Sequence, residues 1–215
     1  MSHLFTSEEL TRIQAAVEQA EAVSGGEIVP AVARQSSFYE VAYWRGASGL
    51  ALLTGILLTL LYLTTNYLLL MPPYLWLLIV LSAGLAGAVL VMLSPAVKRA
   101  MIGSEVRAAR VLDQAKNLFY DYGISRTEQR TGILLYVSFW EHRAVILADV
   151  GISELVSPSD WEAIIRLVTA KTQAGRPVDG ICEAIVACGQ LLADSGVQAA
   201  IDDEDSLPND VRYDA

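Results

Sequence analysis

The 215-residue chain carries no Asp, Glu, Lys, Arg or His between Gly46 and Val97, and two adjacent prolines, Pro72 and Pro73, fall near the middle of that run. One helical bilayer crossing needs roughly 20 apolar residues, so the run is long enough for two. Proline removes a backbone donor and pushes the residue before it, here Met71, away from helical geometry, which puts a turn between the two halves. The pattern predicts a transmembrane hairpin over 46–97, with spans of about 50–70 and 74–93.

The flanks orient the hairpin. Arg34 and Arg45 precede it and Lys98, Arg99, Arg107 and Arg110 follow it, whereas the turn from Asn66 to Tyr74 holds no basic residue. By the positive-inside rule both flanks, and with them both termini, are expected in the cytoplasm. No positively charged region followed by an apolar stretch opens the chain, so a cleavable signal peptide is not expected. Tyr39, Tyr43, Trp44, Tyr74 and Trp76 sit where interfacial aromatics anchor a span. Thr54, Thr59, Thr64, Thr65 and Ser82 are expected to bond helix carbonyls, and Gly84, Ala86, Gly87 and Ala88 to permit close helix contact. A net charge of −9 argues against nucleic acid as a partner, because phosphate binding needs clustered cations. Much of that charge lies in Asp202 to Asp205, within an acidic tail at 197–215 that reads as solvated.

The hairpin interrupts a domain. Thr6-Ser7-Glu8-Glu9 has the form of a capping box, and Leu10, Ile13, Val17 and Ala20 recur at helical spacing, giving a helix over 7–23 that Ser24-Gly25-Gly26 ends. Glu27 to Arg34 reads as a strand, with Pro30 favouring an edge position. One helix and one strand, in 1–45, need partners from 98–196. There the spacing predicts an amphipathic helix over 103–122 that continues the second span, and a β-hairpin of 133–139 with 144–148. Two helices follow, over 159–174 and 178–194, split by Gly175-Arg176-Pro177, with Ser157 or Ser159 as N-cap of the first. These elements predict a three-layer α/β/α sandwich around a small sheet. Cys182 and Cys188 stand roughly 240° apart around one helix, so they are expected to be reduced thiols. His142, beside Glu141, reads as a turn histidine, and Trp140 and Trp161 as partial core.

Four segments together resemble the TPM domain family: Ser24-Gly25-Gly26-Glu27-Ile28-Val29, Tyr122-Gly123-Ile124, Arg130 to Ser138, and His142 to Ile152. The ending Asp205-Ser206-Leu207-Pro208-Asn209-Asp210-Val211 is similar to that of a bacterial branch with a two-helix membrane hairpin inserted in the domain. The resemblance implies the α/β/α sandwich and a bacterial cytoplasmic membrane location. Enzymatic members of the family are metal-associated phosphatases whose acidic residues lie beside a Gly-Tyr-Gly-Leu-Glu type segment. The corresponding stretch here is Asp149-Val150-Gly151-Ile152-Ser153, which puts Ser153 in the glutamate position, and Pro158 stands near that of a downstream aspartate. A hard cation needs several converging oxygen ligands, so Asp149, Glu154 and Asp160 are the carboxylates left to hold Ca²⁺ or another divalent ion. The expected function is therefore a non-enzymatic binding or assembly module, with the bilayer and other membrane proteins or further copies as partners and no cofactor; the alternative is a metal-assisted phosphatase.

Overall fold

In a computed structural model, residues 4–65, 72–127, 130–197 and 210–214 are described. The chain forms two units, Met1–Ser37 with Ala108–Ala215, and Phe38–Arg107.

The first unit is built on a four-stranded sheet of β1 (Glu27–Ala33), β2 (Gly132–Ser138), β3 (Arg143–Ala148) and β4 (Arg212–Asp214), in the order β3-β2-β1-β4. β1 lies before the charge-free run and β2 after it, and they pair in parallel from Glu27↔Gly132 to Ala33↔Ser138. β2 and β3 form the antiparallel hairpin, from Ile133↔Ala148 to Ser138↔Arg143. Both central strands are predominantly apolar, as a sheet covered on two faces requires. Ile28 and Val32 with Ile133, Leu135 and Val137 point into one core, which also takes residues of α1 (Ser7–Val23), α7 (Pro158–Gln173) and α8 (Pro177–Asp194). Val29, Ala31 and Ala33 with Leu134 and Tyr136 point the other way, onto Val111, Ala115, Leu118 and Phe119 of α5 (Ser104–Asp121). The α/β/α sandwich is thus formed, and it is formed across the interruption.

The capping box at Thr6 is present, with the Thr6 hydroxyl accepting from the Glu9 N–H and the Glu9 carboxylate accepting from the Thr6 N–H at 2.7 Å. Gly123, at φ 71°, ends α5 as a left-handed cap, and Trp161 is buried in the core. Three features differ from the sequence expectations. Pro30 is not on an edge strand, since β1 has a neighbour on each side. The position is nevertheless physically consistent: alternate N–H groups of a strand face opposite neighbours, the Glu27 N–H goes to Thr131 on the β2 side, and Pro30 shares the outer side with Ile28. There the Ile28 N–H is taken by the Glu21 carboxylate at 2.8 Å, and β4 pairs only from Ala31 onward. Proline, having no donor, sits in the gap between the two. The second difference is β4 itself, three residues of the supposed tail that form a strand. Asp202 to Asp205 lie outside the described residues. Third, the helix predicted to continue the second span is broken twice. Ser94 precedes Pro95 with an extended backbone, a short α4 (Pro95–Met101) follows, and α5 begins anew at Ser104.

In the second unit the two long apolar helices are α2 (Glu40–Thr64) and α3 (Pro73–Leu93), with mean hydropathies of 1.9 and 2.5 and little of either buried. Helix α2 starts ten residues before the predicted span because nothing between Glu40 and Leu50 breaks a helix, and Glu40 in the first turn favours its N-terminus. Residues 66–70 of that span lie outside the described part. The helices meet at Gly46 and Gly87, each of which places its α-carbon where any Cβ would collide with the other's carbonyl oxygen. Gly84 faces Ala47 and Ala51 along the same seam, whereas Ala86 is exposed. Close backbone approach of this kind is how helices associate where no hydrophobic drive exists. Thr54, Thr59, Thr64, Thr65 and Ser82 each donate to a carbonyl of their own helix at 2.7–3.0 Å.

Helices α1 and α8 cross at Gly189, where a Cβ would lie 2.8 Å from the backbone and side chain of Ala20. Gly189→Val should therefore destabilise the sandwich by about 1–3 kcal/mol. Denaturant unfolding of the full-length protein in detergent measures this, and Gly103→Val, at an open position, is the expected near-neutral control.

Candidate functional site

The three carboxylates expected to hold a cation stand on different local structures. Asp149 follows β3 and caps the four-residue α6 (Val150–Ser153), its Oδ1 accepting the Val150 N–H at 2.8 Å. Its own N–H donates to the Gly132 carbonyl at 2.9 Å, so the residue locks the end of β3 to the start of β2. The side chain is 5 % exposed; Arg130 Nη1 lies 3.6 Å from Oδ1, and Oδ2 is buried without a hydrogen-bond partner among the described residues. Glu154 is the exposed C-cap of α6. Asp160 is exposed in the first turn of α7 and accepts the Ser157 hydroxyl at 2.7 Å. Ser153, in the glutamate position, donates to the Ala148 and Asp149 carbonyls at 3.1 and 3.0 Å.

Among the described residues no group of three or more His, Cys, Asp or Glu side chains is placed to hold a metal ion. Asp149 is consequently a single carboxylate with a guanidinium beside it, whereas Ca²⁺ takes six to eight oxygen ligands. The donor set among the described residues does not fit the metal that the resemblance implies.

The most completely built polar cluster lies at the other end of β2 and was passed over in the sequence. β1 and β2 run parallel, and at their C-terminal ends Tyr136 and Ser138 of β2 converge with Ser36 and Glu141 from the segments that follow the strands. The Ser36 N–H donates to Glu141 Oε1 at 2.9 Å, and Ser138 Oγ donates to Oε2 of the same carboxylate. Ser36 Oγ donates to Ser138 Oγ at 2.8 Å and shares a 2.9 Å hydrogen bond with the Tyr136 hydroxyl. Tyr136 and Ser138 are fully buried and Glu141 is 2 % exposed, so Ser36, half-buried, is the member nearest solvent. Backbone bonds from Phe139 to the Ala33 carbonyl and from Trp140 to the Arg34 carbonyl, at 3.0 and 2.9 Å, hold the β2–β3 turn against the chain leaving β1. His142 occupies that turn in a left-handed conformation at φ 51°, as a turn histidine. The available signal was Tyr136 and Ser138, two polar side chains at strand spacing on one face of an otherwise apolar strand. The C-terminal edge of parallel strands is the usual ligand-facing edge of open α/β sheets. Here the donors and acceptors satisfy one another, and the arrangement rigidifies the segment 34–37.

The thiols lie on α8. Both are free; Cys188 is fully buried, and burial pushes its pKa up to about 12. Cys182 is half-buried and its pKa is raised chiefly by desolvation, with Arg12 opposing. Neither has the depressed pKa of a reactive cysteine.

Residues 99–191, from within α4 to within α8, match the TPM domain family. A TPM domain is present in this chain, and its sheet draws β1 and β4 from outside the matched segment. A solved structure, that of the BA42 protein from the psychrophilic bacterium Bizionia argentinensis, has the same fold, with a TM-score of 0.61 at 19 % identity over 100 % of this chain and 98 % of that one. None of the curated proteins matches the sequence.

Glu141→Ala removes the acceptor of two buried donors, each costing about 1–3 kcal/mol to leave unpaired, and should lower stability by about 2–4 kcal/mol in denaturant unfolding. Ser36→Ala, which keeps its N–H bond to Glu141, should cost less. At pH 8, iodoacetamide should label Cys182 slowly and leave Cys188 unmodified until the protein unfolds, as peptide mass spectrometry would record, because alkylation requires the thiolate.

Proposed function

We propose that the chain is a membrane-held TPM-like domain that works as a binding or assembly module at the cytoplasmic face of a bacterial inner membrane. The observation that carries this reading is the state of the acidic residues. Asp149 is committed to capping α6 and to Arg130, while Glu154 and Asp160 are exposed helix-end residues not gathered with it. Two helices of 25 and 21 residues, apolar and largely unburied, suit a bilayer as their surroundings. The basic residues Arg45, Lys98 and Arg99 at their outer ends support the orientation with both termini in the cytoplasm.

Full-length tagged protein extracted from membranes in mild detergent should retain a partner, either another membrane protein or a further copy. A strictly monomeric species recovered alone would refute the reading. The same preparation should hydrolyse an aryl phosphate no faster with Ca²⁺, Mg²⁺ or Mn²⁺ than without. Asp149→Ala is expected to act on stability, and a metal-dependent rate lost in that variant would establish the hydrolase alternative.

A further inference from the structure

β3 stands last in the order β3-β2-β1-β4, and among the described residues β2 is the one strand paired with it. The Asp149 N–H bonds the carbonyl of Gly132 opposite it, and in an antiparallel ladder the hydrogen-bonded residues alternate. Arg143, Val145 and Leu147 therefore give their backbone groups to β2, while Ala144, Ile146 and Ala148 turn theirs outward. Of these outward groups only the Ala148 carbonyl has a partner among the described residues, the Ser153 hydroxyl at 3.1 Å. The strand Arg143–Ala148 holds no proline, no lysine and no bulge, and its one charge stands at its start, so none of the usual defences of a sheet edge is built into it. Val145 and Leu147 are half-buried toward the α5 core, and Ile146 and Ala148 half-buried toward the core on the other face, which leaves apolar surface beside the open backbone.

The geometry points to β3 of a second copy as the occupant of this edge, antiparallel about a two-fold axis at Ile146. Outward residues then meet outward residues. Ile146 pairs with its own copy and Ala144 with Ala148, each pair exchanging two hydrogen bonds, for which the Ala148 carbonyl keeps a second lone pair. Between them Val145 faces Leu147 of the second copy, and Arg143 faces Asp149 of the second copy. Each apolar residue thus meets an apolar one, and the cation that opens the strand meets the acid that follows it. Because outward groups must stay opposite outward groups, the register can slip only by two residues. One such slip sets Arg143 against Leu147 and the other sets Asp149 against Val145, so the charges favour the register centred on Ile146 and a copy of this same strand as the partner. A strand pair alone is a small interface, and confinement of copies to one membrane raises their effective concentration. This rests on the assembly reading and names its partner as a second copy of the chain.

The test uses two full-length chains with different N-terminal tags, both carrying Cys182→Ser, co-expressed with Val145→Cys in one and Leu147→Cys in the other. Opposed residues of a non-hydrogen-bonded antiparallel pair have Cα atoms about 4.5 Å apart, within the range of a disulfide. Mild oxidation of isolated membranes should give a species with both tags at twice the 23.3 kDa chain mass. Val145→Cys in both chains sets the thiols on a diagonal and should give at least fivefold less. The original pair should lose as much when both chains also carry Ala144→Pro, which removes an outward donor and leaves the β2 ladder intact. Absence of the mixed species, or an equal yield from the Val145→Cys pair, overturns the proposal however the Ala144→Pro chains fold. A yield undiminished by Ala144→Pro overturns it too, since the link would then not pass through the paired edge. Another membrane protein that co-purifies with chains forming no mixed species leaves the assembly reading standing, so the two ideas fail separately.

Discussion

The parallel pairing of β1 with β2 is the constraint on which the sandwich depends, because it joins the parts of the domain on either side of the charge-free run. Of the 98 residues between Ala33 and Gly132, 70 belong to Phe38–Arg107. Loop-closure entropy grows only logarithmically, so lengthening a 28-residue connection to 98 costs about 1 kcal/mol. A flexible loop is also the upper bound, since α2 and α3 pair antiparallel and shorten the effective connection. Set against two apolar faces of a seven-residue ladder, each packed on helices, that cost is small. Parallel strands need a long crossover in any case, and the crossover here carries its own folded unit.

The edges of that central pair are closed in different ways. On its inner side β1 has the full β2 ladder, while its outer side is covered piecewise: a carboxylate for Ile28, a proline with no donor to satisfy, then a short strand. An exposed row of N–H and C=O groups is a hazard, and this combination covers most of the row with little structure. It also explains why the C-terminal segment is ordered at all. Its backbone completes an edge that the rest of the domain leaves open from Ala31 to Ala33.

Most of the helices and the central strands were legible because each carries a local signal: the capping box at Thr6, the continuous apolar runs of β1 and β2, and Gly123 and Gly175 at helix ends. What was not legible depends on partners distant in sequence. Arg212-Tyr213-Asp214 is too short and polar to announce a strand, and becomes one only because β1 has a vacant edge. Pro30 suggested an edge strand because proline cannot donate, yet what matters is which way that one missing donor would face. The break at Ser94-Pro95 could have been read from the rule for residues preceding proline; the apolar continuity of the segment outweighed it. Of the site residues, Asp149 was placed correctly at the end of a strand, but its commitment to Val150 and Arg130 is a matter of geometry that spacing does not encode.

The two most buried carboxylates of the described chain, Asp149 and Glu141, flank β2 and follow one physical rule with different completeness. Taking an ionised carboxylate out of water is expensive unless N–H or O–H donors replace the lost hydration. Glu141 has that replacement on both oxygens, from the Ser36 N–H and the Ser138 hydroxyl, and so works as a fixed joint between the β2–β3 turn and the chain leaving β1. Among the described residues Asp149 has it on Oδ1 alone, through the Val150 N–H and the nearby Arg130. Neither Ser153 nor Pro158 adds a charge beside it, and the carboxylate serves the local backbone as the cap of α6.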